Sequence, residues 1–211
     1  MKAIFWDNDG VLVDTERFYF EASRAALREL GCEFGEAVYV DHCLRRGASC
    51  FDLARARGIG EAEIAAARAA RDAHYTELIG SVELIPGVRE TLAALHGRVP
   101  MAVVTSSQRH HFELQHARTG ALRFFEFVLT SGDYARDKPD PEPYLLAAAR
   151  LELAPADCLV IEDSQRGLLA ATRAGMRCAV IPRWLSGGCD FAGAWRVLPE
   201  VARVPELFAD W

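Results

Sequence analysis

The apolar run at the start of the chain, residues 4–6, ends at two carboxylates and a glycine: Asp7, Asp9 and Gly10. A short apolar run bounded by turn residues is typical of a buried strand. Ligands of open α/β sheets bind beyond the carboxyl ends of the strands, so we expect Asp7 and Asp9 to lie at a ligand site. A strand followed by a plain Asp-Gly turn is the alternative.

The next segment, residues 15–79, has helical rather than strand periodicity. We expect a first helix that ends at Gly31, followed by helices over residues 35–46, after the turn at 47–49, and over 61–78. Helices inserted where a ligand site opens favour a lid, and one wall of a single domain is the alternative. The predicted division is a core of residues 1–14 and 84–211 and a cap of residues 15–83.

Helices and strands alternate from Pro86 onward. Helices are expected over residues 88–95, 109–118, 141–151 and 165–174. Strands are expected over residues 101–105, 125–130, 158–162 and 178–181, and the remainder, 184–211, adds a strand at 195–198 and a final helix. This alternation predicts an α/β fold: a doubly wound, Rossmann-like parallel sheet with a small helical cap inserted after its first strand.

Composition narrows the functional classes. A formal charge of -6 over 211 residues argues against a nucleic-acid-binding surface, which is normally basic. No apolar run approaches the length of a membrane span, and the first run is too short for a signal peptide, so a cytoplasmic protein is expected. The six cysteines include no C-x-x-C pair, which favours reduced thiols.

Three later segments carry candidate chemistry at strand ends. Thr105 and Ser106 follow an apolar run just before a predicted helix, where a hydroxyl and free backbone N–H groups bind phosphate oxygens. Plain N-capping by Ser106 or Ser107 is the alternative. Lys138, in a proline-rich turn, would offset the charge of Asp7 if it lay nearby, and otherwise is a surface lysine.

Glu162 and Asp163 form the third segment, at the end of the apolar run 158–161. Together with Asp7 and Asp9 they would make a site rich in hard oxygen ligands, which suits Mg²⁺. Capping of the following helix by either acid is the alternative.

These segments, taken in order, resemble the four motifs of the haloacid dehalogenase superfamily. Residues 4–16 match motif I, Thr105 matches motif II, Lys138 with its prolines matches motif III of the phosphatase branch, and residues 162–167 match motif IV. The helical insertion lies where this superfamily carries its C1-type cap.

The resemblance implies a mechanism. Asp7 would attack phosphorus and form an aspartyl phosphate, while Asp9 would act as general acid and base. Thr105, the Ser106 amide and Lys138 would hold the transferring phosphoryl group. The implied enzyme is a phosphatase for a small phosphomonoester such as a sugar phosphate or phosphoglycolate.

The resemblance also implies a Mg²⁺ cofactor, held by the Asp7 carboxylate, the Asp9 carbonyl and Asp163, with Glu162 as a further candidate ligand. Glu16 is a candidate substrate contact in the cap. Weaker cap candidates are Arg17, Arg45, Arg46 and His74. We expect a monomer that binds a small phosphorylated metabolite and neither nucleic acid nor membrane.

Rival functions remain. A phosphomutase of the beta-phosphoglucomutase type has a cap histidine and a cap arginine at positions that here are Tyr19 and Cys50. A haloacid dehalogenase has no acid at the place of Asp9, and a receiver-type signalling module has no helical insertion after its first strand. A catalytically silent phosphate-binding protein of the same fold is the remaining alternative.

Overall fold

The computed structural model describes residues 1–183, 189–209 and 211, so the start of the predicted 184–211 segment lies outside the described residues. Its strands are β1 Ala3–Trp6, β2 Met101–Gln108, β3 Phe127–Ser131, β4 Cys158–Glu162, β5 Arg177–Val180 and β6 Arg196–Val197. They form a central six-stranded parallel sheet in the order β3-β2-β1-β4-β5-β6.

The helices follow the predicted order. They are α1 Glu16–Glu29, α2 Glu36–Val38, α3 Asp52–Ala56, α4 Glu61–Ile79, α5 Val88–Leu95, α6 Arg109–His116, α7 Glu142–Arg150 and α8 Gln165–Arg173. Short 3-10 helices cover Leu122–Phe124, Pro155–Asp157 and Val201–Phe208. Among the described residues no helix is both long and apolar enough to cross a membrane.

β1 lies in the interior of the sheet, between β2 and β4, and every one of its side chains is buried on one face or the other. Ile4 and Trp6 join a cluster with α5, α6 and the last 3-10 helix, while Ala3 and Phe5 pack with α7 and α8 on the opposite face. Alternate residues of a strand point to opposite faces, so a wholly apolar strand needs helices on both sides. The predicted doubly wound parallel sheet is confirmed.

Helices α1, α3 and α4 and the segment at residues 39–44 build a separate apolar cluster around Phe20, Leu27, Tyr39 and Phe51. The chain enters this segment after Val13 and leaves it before Leu84, and an antiparallel bridge joins these two residues. The helix predicted over residues 35–46 is wrong in type: α2 is one short turn that continues as a π-helix over Tyr39–Arg45.

The structure also differs from the prediction at the end of β2 and in the type of the last helix. β2 continues three residues past Thr105 to Gln108, with an irregular register against β3 between Val104 and Gln108. The final predicted helix is a 3-10 helix that contains Pro205, a residue that cannot donate a backbone hydrogen bond. The cysteines are all free, as expected.

Candidate active site

The site lies where β1, β2 and β4 end side by side. Ile4 is opposite Met101 on one side and Leu159 on the other, so the residues that follow these strands emerge at one edge. A cavity of about 380 Å³ opens there beneath the helical segment. It is lined by each predicted site residue: Asp7, Asp9, Glu16, Thr105, Ser106, Lys138, Glu162 and Asp163.

Lys138 is buried between two carboxylates at the base of the cavity. Its Nζ donates to Asp7 Oδ1 at 2.7 Å, to Glu162 Oε1 at 2.8 Å and to the carbonyl of Val104 at 2.8 Å. Burial alone would lower the pKa of Lys138, but Asp7 and Glu162 outweigh it and raise the pKa above its usual range. The surface-lysine alternative is therefore excluded, since only 3% of the side chain is exposed.

Both oxygens of Glu162 accept hydrogen bonds. Besides Lys138, its oxygens accept hydrogen bonds from Tyr144 Oη at 2.7 Å, Ser164 Oγ at 3.0 Å and the Asp163 amide at 3.2 Å. Burial favours the neutral acid, yet Lys138 holds the pKa of Glu162 below its usual range. Both oxygens are engaged, so the predicted metal-ligand role of Glu162 would compete with these bonds.

Asp7, Glu162 and Asp163 are buried acids whose oxygens lie within 4.8 Å of one another. Burial raises the pKa of Asp7 to about 7, and burial together with Glu162 and Asp7 raises the pKa of Asp163 well above its usual range. Lys138 neutralises part of this cluster, and the remaining negative charge calls for a cation. An oxygen-only donor set fits a hard divalent metal such as Mg²⁺.

Gly10 explains how Asp163 approaches β1. Its φ is +82°, and a Cβ placed there would lie 2.1 Å from Asp163 Oδ2. Only glycine provides both the backbone conformation and the space. The turn after β1 therefore brings Asp163 beside Asp7.

Asp9 faces hydroxyl groups from the strand and loop around it. Ser107 Oγ donates to Asp9 Oδ2 at 2.5 Å, Thr105 Oγ1 lies 3.4 Å from the same oxygen, and Thr15 Oγ1 donates to Oδ1. The helix α6 begins only at Arg109. Ser106 and Ser107 are therefore not its N-caps, and the capping alternative is wrong for both.

Backbone contacts fix the end of β2. Tyr134 Oη donates to the Thr105 carbonyl at 2.7 Å, and the Ser107 amide donates to Thr105 Oγ1 at 3.0 Å. The Ser106 hydroxyl oxygen is buried and has no hydrogen-bond partner among the residues that the structure describes. At β4 the helix α8 is capped by Ser164 rather than by Glu162 or Asp163.

The helical segment closes the cavity with two residues that the sequence did not indicate, Arg71 and Asp72, beside Tyr19 and Cys50. Arg71 donates to Tyr19 Oη at 2.5 Å and to Asp72 at 2.7 Å. Glu16 lines it too and accepts a hydrogen bond from Tyr39. The weaker candidates are not among the described lining residues: Arg17, Arg45, Arg46 and His74.

The family model for haloacid dehalogenase-like hydrolases matches residues 4–181. Protein CbbY of Cupriavidus necator is 34% identical over 95% of this chain and 86% of its own length. Fructose-1-phosphate phosphatase YqaB of Escherichia coli is 32% identical over 82% of this chain and 92% of its own length.

A solved structure gives the same picture. A mutant of CbbY from Rhodobacter sphaeroides in complex with xylulose-(1,5)bisphosphate has a TM-score of 0.79 and 27% identity, and the match covers 96% of this chain and 95% of that chain. Both the sequence and the fold therefore match along nearly the whole chain. We conclude that the chain belongs to the haloacid dehalogenase-like hydrolases and is a phosphatase of that family.

Proposed function

We propose that this enzyme is a Mg²⁺-dependent phosphatase that hydrolyses a small phosphomonoester through a phosphorylated aspartate, Asp7. The observation that carries the proposal is the buried group of Asp7, Lys138 and Asp163 at the base of the cavity. A carboxylate held beside a lysine and a potential cation site can approach a phosphate dianion without prohibitive repulsion.

Asp7 is the proposed nucleophile. Its Oδ1 is tied to Lys138, which leaves Oδ2 for attack on phosphorus. The bond to the leaving-group oxygen breaks as the Asp7–phosphorus bond forms. Water then attacks the phosphorylated aspartate, which releases phosphate and restores the carboxylate.

Asp9 is the proposed general acid and base. It protonates the leaving alkoxide in the first step and takes a proton from water in the second. Thr105 and the Ser106 amide bind the phosphoryl oxygens, and the unpartnered Ser106 hydroxyl suits the same task. Lys138, whose three donors go to Asp7, Glu162 and the Val104 carbonyl, offsets the negative charge of the phosphoryl group.

The residues present fit Mg²⁺. Asp7, Asp163 and the Asp9 carbonyl are the proposed ligands, because Glu162 already serves Lys138, Tyr144 and Ser164. Bound Mg²⁺ would supply the positive charge that draws a phosphate dianion to a carboxylate.

The substrate class is proposed from the cavity and the relatives. A volume of about 380 Å³ admits a small ester, and Glu16, Tyr19 and Arg71 offer polar groups to its leaving group. YqaB is named for fructose 1-phosphate, and CbbY was solved with a sugar bisphosphate. A phosphorylated sugar or a similar small metabolite is therefore the proposed substrate.

Hydrolysis is favoured over phosphomutation by two cavity residues. Tyr19 and Cys50 stand where a beta-phosphoglucomutase would have its cap histidine and arginine, and both line the cavity. Neither side chain carries a positive charge, and the cation beside them is Arg71, which donates to Tyr19.

The division into a core of residues 1–14 and 84–211 and a cap of residues 15–83 stays a proposal. It is supported by the separate apolar cluster of helices α1, α3 and α4 and by the crossing point at Val13 and Leu84. A monomer in the cytoplasm that binds no nucleic acid also stays a prediction.

The test is phosphate release from fructose 1-phosphate, glycerol 3-phosphate, phosphoglycolate and p-nitrophenyl phosphate, each with and without Mg²⁺. We expect release that requires Mg²⁺ and is lost in Asp7→Asn. Release that persists in Asp7→Asn would contradict the mechanism, and isomerised sugar phosphate without release would favour the mutase.

A further inference from the structure

A buried polar network bonds to Asp9 through Asn8 and Gln115. Its members come from the β1 turn and from the end of α6, and their side chains are almost wholly buried: Asn8 0%, Gln115 2%, His116 4% and Thr119 6% exposed. Polar groups are costly to bury, so a network of this size needs a reason.

The hydrogen bonds around Asn8 show how its amide is oriented. Its Nδ2 donates to Asp9 Oδ2 at 3.2 Å. The same nitrogen donates to Gln115 Oε1 at 2.7 Å. The Asn8 Oδ1 acceptor therefore faces His116 Nε2, at 2.7 Å.

His116 must then donate through Nε2 and accept through Nδ1. Thr119 Oγ1 lies 3.0 Å from Nδ1 and accepts from the Ala121 amide at 3.2 Å, and its one hydroxyl hydrogen faces both Nδ1 and the His116 carbonyl, which is 3.4 Å away. Burial lowers the pKa of His116 to about 4, which agrees with a neutral ring. The donors thus run in one direction, from the Ala121 amide to Asn8.

Gln115 completes the arrangement from the other side. Its Oε1 is occupied by Asn8, so its Nε2 points to Asp9 Oδ1, at 3.2 Å, and to Tyr75 Oη of α4, also at 3.2 Å. Asp9 is therefore held by one amide donor on each oxygen, and both amides are oriented through His116.

We propose that His116 and Gln115 are positioning residues that hold the general acid Asp9 in its working orientation. The inference rests on the proposed function, since it takes Asp9 to be the acid. His116 acts on Asp9 through Asn8, and Gln115 bonds the Asp9 carboxyl group directly, so both act by orienting the acid. A carboxyl group with a free rotamer would spend part of its time turned away from the leaving oxygen.

Leaving-group dependence separates this role from a structural one. An alkyl phosphate needs the acid because its alkoxide is a poor leaving group, whereas p-nitrophenyl phosphate releases a stable phenolate and needs little protonation. The value of kcat/KM reports only the first phosphoryl transfer. Loss of acid positioning must therefore slow the alkyl ester much more than the aryl ester.

The experiment compares His116→Leu and Gln115→Leu with wild type, using p-nitrophenyl phosphate and the alkyl ester of the panel with the highest kcat/KM. We expect kcat/KM to fall by about 10- to 100-fold for the alkyl ester and by less than about 3-fold for the aryl ester. His116→Gln, whose amide nitrogen can replace the Nε2 donor, is expected to restore most of the alkyl rate. The aryl rate serves as the folding control for each variant.

The Asp9→Asn variant separates the acid role of Asp9 from the positioning role of His116 and Gln115. A selective loss with the alkyl ester in Asp9→Asn supports the acid, and equal loss with both esters would overturn the acid role and the inference together. A selective loss in Asp9→Asn, joined to equal or no loss in His116→Leu and Gln115→Leu, would overturn the positioning role alone. An equally impaired His116→Gln would show that the ring itself, rather than its donor, is required.

Discussion

Lys138 decides the charge balance of the site at the scale of single residues. It is the cation between Asp7 and Glu162, and it is itself almost fully buried. Two carboxylates in a buried pocket repel each other and lose hydration, so they stay ionised only while a cation offsets them. Lys138 thereby opposes the effect of burial on the pKa of Asp7 and favours the charged form of the proposed nucleophile.

We predict that Lys138→Met destabilises the protein by about 3–5 kcal/mol, because one partner of a buried ion group is removed. Urea unfolding at neutral pH measures the change. Lys2→Met is the matched control, since Lys2 bonds Asp157 at 2.9 Å at the surface with 63% of its side chain exposed. That exposed pair is worth about 0–1 kcal/mol, so equal losses in the two variants would contradict the account.

His116 gives a prediction for stability at low pH. Burial lowers its pKa in the folded state from 6.5 to about 4, so the unfolded chain binds more protons between these values. The free energy of unfolding should therefore be intact above pH 6.5 and fall as the pH drops toward 4, by up to about 3 kcal/mol.

The variant His116→Gln carries no titrating ring, and its stability should fall by less over the same range. The measurement is urea unfolding of both proteins at several pH values. Parallel losses of stability in wild type and His116→Gln would show that His116 does not contribute.

The sequence indicated the acids, Thr105 and Lys138 because each follows a strand or stands in a rigid turn, where local pattern sets the position. It gave no sign of Gln115 or Arg71. Gln115 reaches Asp9 only because α6 packs against the β1 turn across 106 positions of the chain, and Arg71 faces the cavity only because α4 packs on α1. Such contacts depend on tertiary packing, which periodicity does not encode.

Helix α8 shows how one glycine serves an element and the site at once. Gly167 lies in the first turn of α8, and a Cβ placed on it would lie 1.8 Å from Glu162 Oε1. The helix can therefore approach the end of β4 closely enough for Ser164 to cap it and bond Glu162. A larger residue would displace the partner of Lys138.

We predict that Gly167→Ala destabilises the protein by about 1–3 kcal/mol through this clash and lowers turnover. Helix propensity alone predicts the opposite sign, a gain of about 1 kcal/mol. Gly80→Ala is the control, because Gly80 has φ -62° and the nearest atom to an added Cβ is 3.8 Å away. Thermal unfolding and phosphate release measure both variants, and a stabilised, active Gly167→Ala would refute the packing argument.

At the scale of elements, the order and type of most helices and strands followed from periodicity. The misses have physical causes. β2 extends to Gln108 because Gln108 pairs with Ser131 of β3 after the irregular register. This pairing depends on the neighbouring strand, so the sequence of β2 alone does not predict it. The segment predicted as a helix over residues 35–46 is a π-helix from Tyr39, whose ring packs against Phe20 and Phe34. This packing involves residues outside the segment, so the local sequence does not predict it.

At the scale of the whole chain, the helical segment contacts the sheet-bearing part of the chain through helices α4 and α6. Thr76 Oγ1 lies 2.9 Å from His111 Nε2, the Tyr75 ring meets the His111 ring edge to face at 4.9 Å, and Gln115 bonds Tyr75. These contacts lie beside the cavity, so the segment that would select the leaving group touches the helix that orients Asp9.

We predict that Mg²⁺ stabilises the whole fold, since a ligand that binds only the folded state adds about 2.7 kcal/mol at 100 times its Kd. For a chain of this size that corresponds to a rise in Tm of about 5–10 °C. Asp163→Asn should lose this rise and be at least as stable as wild type without metal, because it removes a repelled carboxylate. An equal rise in both proteins would place the metal elsewhere.

Chemical trapping of the phosphorylated aspartate tests directly whether Asp7 is the nucleophile. The Asp9→Asn variant is mixed with substrate and Mg²⁺, quenched in acid and reduced with borohydride, which converts a phosphorylated aspartate to homoserine. We predict homoserine at position 7, absent without substrate and in the double variant that also carries Asp7→Asn. Homoserine at another position, or turnover with none at position 7, would contradict the proposed mechanism.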